Sequence, residues 1–289
     1  MRDALLRFMV EPKVTLYAYL NRPVLDRVFF VPFWDCPYMC EFCCVDSLPG
    51  KAPGWPDSAE EELFALLATS SARYGRPMQL HVYGGEPMSR PGYVEHLARR
   101  VRDSPFVSKM VLYTTLRAAS ARKVLGILGR QRLEILVNPD TVNERAAVAL
   151  QEFKGVARLH LLPVSIPTGR GAAGQAGHHK DFFQKHLPVG WPGRACFSKQ
   201  SGLLFTGPQK VVHLCCLPQS PVVGSFDTPP AELLDRYEAA LAAVPAALNQ
   251  ACRQQGLDHP CAVCNKFTGY QSQAGPGQNR YTVAHALAL

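Results

Sequence analysis

The sequence predicts an α/β fold: a parallel sheet assembled from strand–helix–strand units, followed by a cysteine-rich tail of different build. Three observations lead there. Between Arg27 and Val164, short apolar runs alternate with longer amphipathic segments, the pattern of strands joined by crossover helices. The loops after these runs carry cysteine, glycine or polar residues, and the C-terminal ends of parallel strands are where such sheets gather ligands. Beyond residue 190 the alternation stops, and Cys196, Cys215, Cys216, Cys252, Cys261 and Cys264 crowd into the remaining chain.

Residues 1–26, with the run Val14–Leu20, read as a cap with no chemistry of its own. The apolar run Arg27–Trp34 is a buried strand that delivers Cys36, Cys40 and Cys43 into a loop. Leu48–Pro56 is rich in breakers and forms an excursion, after which Asp57 can cap a helix beginning near Ser58. Glu60, Glu61 and Glu62 suit the positive end of that helix, and Leu63, Leu66 and Leu67 form its apolar face. A strand, Gln79–Tyr83, then runs into Gly84-Gly85-Glu86-Pro87. A helix over Pro91–Val101, a strand over Lys109–Thr115, a helix over Ala118–Leu128 and a strand over Leu133–Asn138 follow. Residues 140–152 are expected to be helical, and Arg158–Val164 to be a fifth strand. Pro167–Gly177 is glycine-rich but lacks the Lys-Ser/Thr ending of a phosphate-binding loop, so it reads as a connection. His178-His179 reads as a helix start, because successive residues face different directions. In the tail, Leu203–Thr206 and Val211–Cys215 form a hairpin, Pro230–Ala243 a helix, and His259-Pro-Cys261-Ala-Val-Cys264 closes the pattern.

At 289 residues and 47% hydrophobic content, the chain suits one large domain or a domain with an appendage. Ten cysteines in a chain of this length, with no visible signal peptide and no apolar run near the ~18 residues that cross a bilayer, point to reduced thiols in a soluble cytoplasmic protein. The net charge is +8. Its arginines (Arg99, Arg100, Arg102, Arg117, Arg122, Arg130 and Arg132) are scattered over helices and loops, a solvated face rather than a nucleic-acid stripe, and they leave a phosphorylated or acidic substrate open.

Three closely spaced thiolates can hold three corners of a four-iron four-sulfur cube and leave one iron open, whereas structural zinc takes four protein ligands. Cys36-x3-Cys40-x2-Cys43, with the aromatic Phe42 before the last cysteine, resembles the cluster loop of radical SAM enzymes. Gly84-Gly85-Glu86-Pro87, one strand later, resembles the element by which that family holds the amino group of S-adenosylmethionine (SAM). Glycines permit close backbone approach, and a carboxylate pairs with an ammonium. The resemblance implies a partial parallel (β/α) barrel of the radical SAM type over residues 27–177. It also implies an iron bound to SAM and a 5′-deoxyadenosyl radical that abstracts hydrogen. It carries Asn138 over as a ribose contact, and Thr115 as the counterpart of an Asn in the family's Thr-Asn-Gly turn, a departure that puts its role in doubt. Arg170, in a Gly-Arg-Gly stretch, becomes a candidate contact to the SAM carboxylate or to substrate. For Asn138 and Thr115 a strand-end side chain satisfying its own loop is the competing reading.

The tail's order of Cys, hairpin, Cys, helix and Cys-x2-Cys resembles the twitch domain, a short relative of the SPASM extension, over residues 178–289. That resemblance implies an auxiliary four-iron four-sulfur cluster on Cys196, Cys215, Cys261 and Cys264, with Cys216 the substitute for Cys215; four cysteines also suit a structural zinc. Twitch relatives include dehydrogenases and epimerases of aminoglycoside and aminocyclitol biosynthesis. The implied activity is hydrogen abstraction from a small polar, carbohydrate-like molecule, ending in epimerisation or two-electron alcohol oxidation. A flavodoxin or ferredoxin would supply electrons. For epimerisation Cys252 is the candidate hydrogen donor, with simple core packing as its alternative. Two other readings stand beside this one: a maturase of ribosomal precursor peptides, and a nonenzymatic iron–sulfur or zinc interaction module, which leaves Gly-Gly-Glu-Pro without a role.

Overall fold

The structure is a computed structural model and describes residues 25–38, 40, 43, 47, 49–50, 59–117, 120–137, 148, 150–159, 196, 202–207, 209–257 and 260–268. Its elements are β1 (Arg27–Val31), α1 (Ala59–Tyr74), β2 (Met78–Val82), α2 (Pro91–Arg102), β3 (Val107–Tyr113), α3 (Arg122–Arg132), β4 (Leu133–Val137), β5 (Ala157–Leu159), β6 (Leu203–Thr206), β7 (Val211–His213), β8 (Val222–Ser225), α4 (Pro230–Gln254) and α5 (Pro260–Thr268). They build one open eight-stranded sheet in the order β5-β4-β3-β2-β1-β6-β7-β8. Pairing is parallel from β5 to β6 and antiparallel from β6 to β8.

The first five strands lie in sequence order. Right-handed crossovers that always step in one direction put their helices on one face, as in a partial barrel, and leave the other face free for ligands. Alternation along each strand shows both faces. Val28, Phe30, Leu80, Val82, Met110, Leu112, Ile135 and Val137 join the core beneath the helices, with Leu63, Leu67, Val94, Leu97 and Val124. Phe29, Val31 and Leu204 turn the other way and pack with Trp34, Tyr83, Tyr113, Cys43 and Cys216. The tail contributes to the same core: Phe205 and Val212 on the hairpin pack with Leu234, Tyr237 and Val244 of α4.

Expectation and structure differ in three elements. α3 begins at Arg122 rather than Ala118, and Ser120 and Ala121 precede it outside any helix. α4 runs past Ala243 to Gln254, straight through Pro245. The proline forfeits one backbone bond, but the stripe Leu241, Val244, Leu248 and Ala251 is buried along one side of the helix and holds it together. β8 has no counterpart among the expected strands, since Val222–Ser225 is short and sits between turns. No helix among the described residues is long and apolar enough to cross a membrane.

Candidate active site and metal centre

β1 and β2 are neighbouring parallel strands, so their C-terminal loops emerge side by side. The first carries Cys36, Cys40 and Cys43, all half-buried and free of disulfides, with the Cys43 N–H donating to the Cys40 carbonyl at 3.2 Å. The second carries Gly84-Gly85-Glu86-Pro87. The two loops are fitted to each other through the glycines. A Cβ on Gly85 would lie 2.0 Å from the Asp35 carbonyl oxygen, and one on Gly84, where φ is +119°, would lie 2.5 Å from Val31 Cγ1. The Gly85 N–H donates to the Phe33 carbonyl at 3.0 Å, and Ser47 Oγ donates to the Gly84 carbonyl at 2.9 Å. Arg90 completes the junction, stacked over Phe33 at 4.7 Å and 3.7 Å from Asp35. The close approach expected between glycine backbone and ligand is here an approach to the segment that leads into Cys36.

Burial pushes the Cys36 thiol up to about 11, and negative charge at Glu86, Cys43 and Cys40 adds to the rise. The three thiols are therefore within electrostatic reach of one another, and the protein alone does not stabilise Cys36 as a thiolate. A polycation bound there would, and this donor set fits an iron–sulfur cluster with three protein ligands.

Glu86 is buried, 2% exposed, and both carboxylate oxygens are already engaged. Oε1 accepts from the Met88 N–H at 3.0 Å and from the Thr114 hydroxyl; Oε2 accepts from the Thr115 N–H at 2.8 Å and the Thr115 hydroxyl at 2.7 Å. A carboxylate offers about four lone-pair sites, and all four are used. Glu86 thus caps the short 3-10 turn Pro87–Ser89 that Pro87 opens, and clamps it to the turn after β3. Thr115 has a structural partner in Glu86, in keeping with the reading of a strand-end side chain that satisfies its own loop. Leu116, in the position where the Thr-Asn-Gly turn has its glycine, takes φ +56°.

The ligand-side face of the sheet carries a polar and aromatic layer that the sequence reading did not single out. His81 is buried, with Nε2 3.2 Å from Gln79 Oε1 and Nδ1 3.1 Å from the Tyr113 hydroxyl. Lys109 and Glu134 pair on the same face. Phe29 packs against His81 and Tyr83 at ring distances of 4.6 and 5.7 Å. The available signal was the alternation of Gln79, His81 and Tyr83 with Leu80 and Val82, which separates a ligand face from a core face. Tyr83 also donates its hydroxyl to the Cys216 carbonyl.

In the tail, Cys196, Cys215, Cys261 and Cys264 line one cavity, closed by Leu214, Leu217 and Leu248. α5 presents Cys261 and Cys264 three residues apart on one face. The Cys196 N–H is fixed by Asn249 Oδ1 at 2.9 Å, and the Cys215 N–H donates to Ser220 Oγ at 3.1 Å. Burial raises the Cys264 thiol, and nearby Cys196 and Cys215 raise it further. Cys216 is not among the residues lining the cavity; it packs both against the Phe29 and Trp34 layer and against Cys215, Leu217 and Cys261. Among the described residues no three His, Cys, Asp or Glu side chains are gathered as a single metal ion would require. Four thiols lining one cavity are the donor set of an iron–sulfur cluster or of a structural zinc.

Cys252 lies near the end of α4, 6% exposed, within the core on the helix side of the sheet, and its thiol donates to the Leu257 carbonyl at 3.0 Å. Cys43 of the cysteine loop packs in a different cluster, with Phe29, Val31 and Trp34. Phe42, Asn138, Arg170, Cys44 and the His178-His179 pair lie outside the described residues.

No protein-family model and no curated protein matches the chain. Among solved structures, it is similar to the crystal structure of BtrN in complex with AdoMet and 2-DOIA, at 11% identity and a TM-score of 0.49, over 76% of this chain and 86% of that one. It is also similar to selenomethionine BtrN in an open conformation, at 13% identity and a TM-score of 0.46, over 76% of this chain and 85% of that one.

Proposed function

We propose that this chain is a radical SAM enzyme that oxidises an alcohol of a small polar, carbohydrate-like substrate of the aminoglycoside or aminocyclitol kind by two electrons. One observation supports this reading above the others: the Gly84-Gly85 backbone is seated on Phe33–Asp35, directly before Cys36, so that two motifs distant in sequence meet at adjacent strand ends. Neither glycine tolerates a side chain there, which gives the motif a physical reason that an ordinary turn lacks.

A four-iron four-sulfur cluster on Cys36, Cys40 and Cys43 would, with SAM and one electron from a flavodoxin or ferredoxin, supply a 5′-deoxyadenosyl radical that removes a hydrogen atom from the substrate carbon. The chain's own part is positional. Glu86 fixes the turn after β2 to the turn after β3, and the half-buried layer of Gln79, Tyr113, Lys109 and Glu134 around buried His81 offers hydrogen bonds to a hydroxylated molecule on the ligand face. Oxidation is preferred to epimerisation because inversion needs a hydrogen donor beside the substrate, and the thiol of Cys252 is committed to Leu257 on the far side of the sheet.

The tail cavity is proposed to hold an auxiliary four-iron four-sulfur cluster on Cys196, Cys215, Cys261 and Cys264, which would take the second electron as the substrate radical gives up its hydroxyl proton and becomes the ketone. A structural zinc on the same four cysteines is the competing occupant. Incubating the reduced, reconstituted protein with SAM and a panel of aminocyclitols tests the reaction. Substrate-dependent 5′-deoxyadenosine together with a ketone product is expected. An inverted alcohol that takes up deuterium from deuterated water would instead establish an epimerase.

A further inference from the structure

The turn that follows β3 aims a cation at the cysteine loop. Leu116 sits in the left-handed region at φ +56°, where a side chain is strained, and strain of this kind is retained where the surroundings enforce it. Here the two threonines enforce it. Thr114 Oγ1 accepts the Leu116 N–H at 3.1 Å and Thr115 Oγ1 the Arg117 N–H at 3.2 Å, while both hydroxyls donate to Glu86. The direction of Arg117 is therefore set by the Glu86 clamp. Its guanidinium carbon lies 4.5 Å from the ring centroid of Tyr38, which stands between Cys36 and Cys40.

Other half-buried arginines are committed through their edges. Arg27 is held by Asp26, Arg76 by the Leu25 carbonyl, Arg100 by Glu61, and Arg132 by the carbonyls of Val101 and Val107. Among the described residues, Arg117 is the half-buried arginine whose guanidinium makes neither a hydrogen bond nor an ion pair. Stacking on Tyr38 occupies its face and leaves five N–H donors on its edge. The partner that matches this fork in shape and charge is a carboxylate.

We propose that Arg117 binds the carboxylate of S-adenosylmethionine. The assignment rests on the proposed function, and it gives the cofactor's amino-acid end an anchor on the chain that the saturated Glu86 does not provide. It is tested by equilibrium binding to the anaerobically reconstituted holoenzyme, using SAM and 5′-methylthioadenosine, which keeps the nucleoside and its 5′ sulfur but lacks the amino-acid arm and so the carboxylate. Arg117→Gln is expected to weaken SAM about 10- to 100-fold, with 5′-methylthioadenosine affinity and iron content unchanged. Arg117→Lys, which keeps the charge but loses the fork, should fall between. Unchanged SAM affinity, or an equal loss for both ligands, overturns the assignment while leaving the enzyme reading intact. If Arg117→Gln loses iron, the Arg117→Lys comparison of the two ligands decides by the same outcomes. A native protein that binds neither ligand overturns the functional reading, and this assignment with it.

Discussion

At the scale of single residues, the site is governed by close approach and by hydrogen-bond saturation. Gly85→Ala must push the Asp35 carbonyl aside, so it should destabilise the protein by about 1–3 kcal/mol and abolish SAM cleavage. Gly126 in α3 has nothing within 4 Å of a built Cβ. Gly126→Ala should therefore stabilise by about 0.5–1 kcal/mol, which makes it the matched control in denaturant unfolding. Glu86→Gln would point an N–H at groups that are themselves donors, and the expected loss is about 1–3 kcal/mol of folding stability. An unfolding curve identical to native would show that the carboxylate is not the clamp described here. The sequence revealed that Gly84-Gly85-Glu86-Pro87 mattered, from its place after a strand. It did not reveal that Glu86 faces Thr114 and Thr115, because those partners come from the next strand and are brought together only by the register of β2 with β3.

At the scale of elements, the strands and helices from β1 to α2 were legible because each has the period its structure needs, with clear breakers between. Legibility failed where one rule was overruled by another. Pro245 marks a helix end by local chemistry, yet α4 continues because its apolar stripe is buried on both sides of the proline. The pairing of β6 with β1 has no local signal at all, since Leu203–Thr206 reads the same whether it meets β1 or only β7. The proposed role of α5 has a direct test in metal content. Reconstituted native protein should carry about eight irons per chain, and Cys261→Ala with Cys264→Ala about four, with SAM cleavage in the absence of substrate retained. One zinc and about four irons in the native protein would overturn the auxiliary cluster.

At the scale of the whole molecule, one sheet carries both cysteine groups. β1 lies between β2 and β6, so the strand that delivers Cys36 is paired on one side to the strand before Gly84 and on the other to the hairpin before Cys215. Trp34 reinforces this junction by donating to Gln209 Oε1 at 2.8 Å, and Tyr83 by donating to the Cys216 carbonyl. A chain cut before Leu203 would expose the edge of β1 together with Phe29, Phe30 and Val31, and an apolar unpaired edge invites association. Such a fragment should aggregate on expression, whereas a soluble, monomeric fragment would mean that the tail is an independent attachment. The spatial union of the two groups was not legible in the sequence, which showed two separate cysteine patterns and no indication that a shared strand joins them.

The loop of Cys36, Cys40 and Cys43, fitted to Gly84-Gly85, is proposed to cleave S-adenosylmethionine. The most direct measurement is 5′-deoxyadenosine and methionine formed by the anaerobically reconstituted, dithionite-reduced native protein, beside a variant with Cys36, Cys40 and Cys43 all replaced by Ala. The native protein should yield both products and the variant neither. Native protein loaded with iron that yields no 5′-deoxyadenosine, or a triple variant that yields as much as the native, would contradict it.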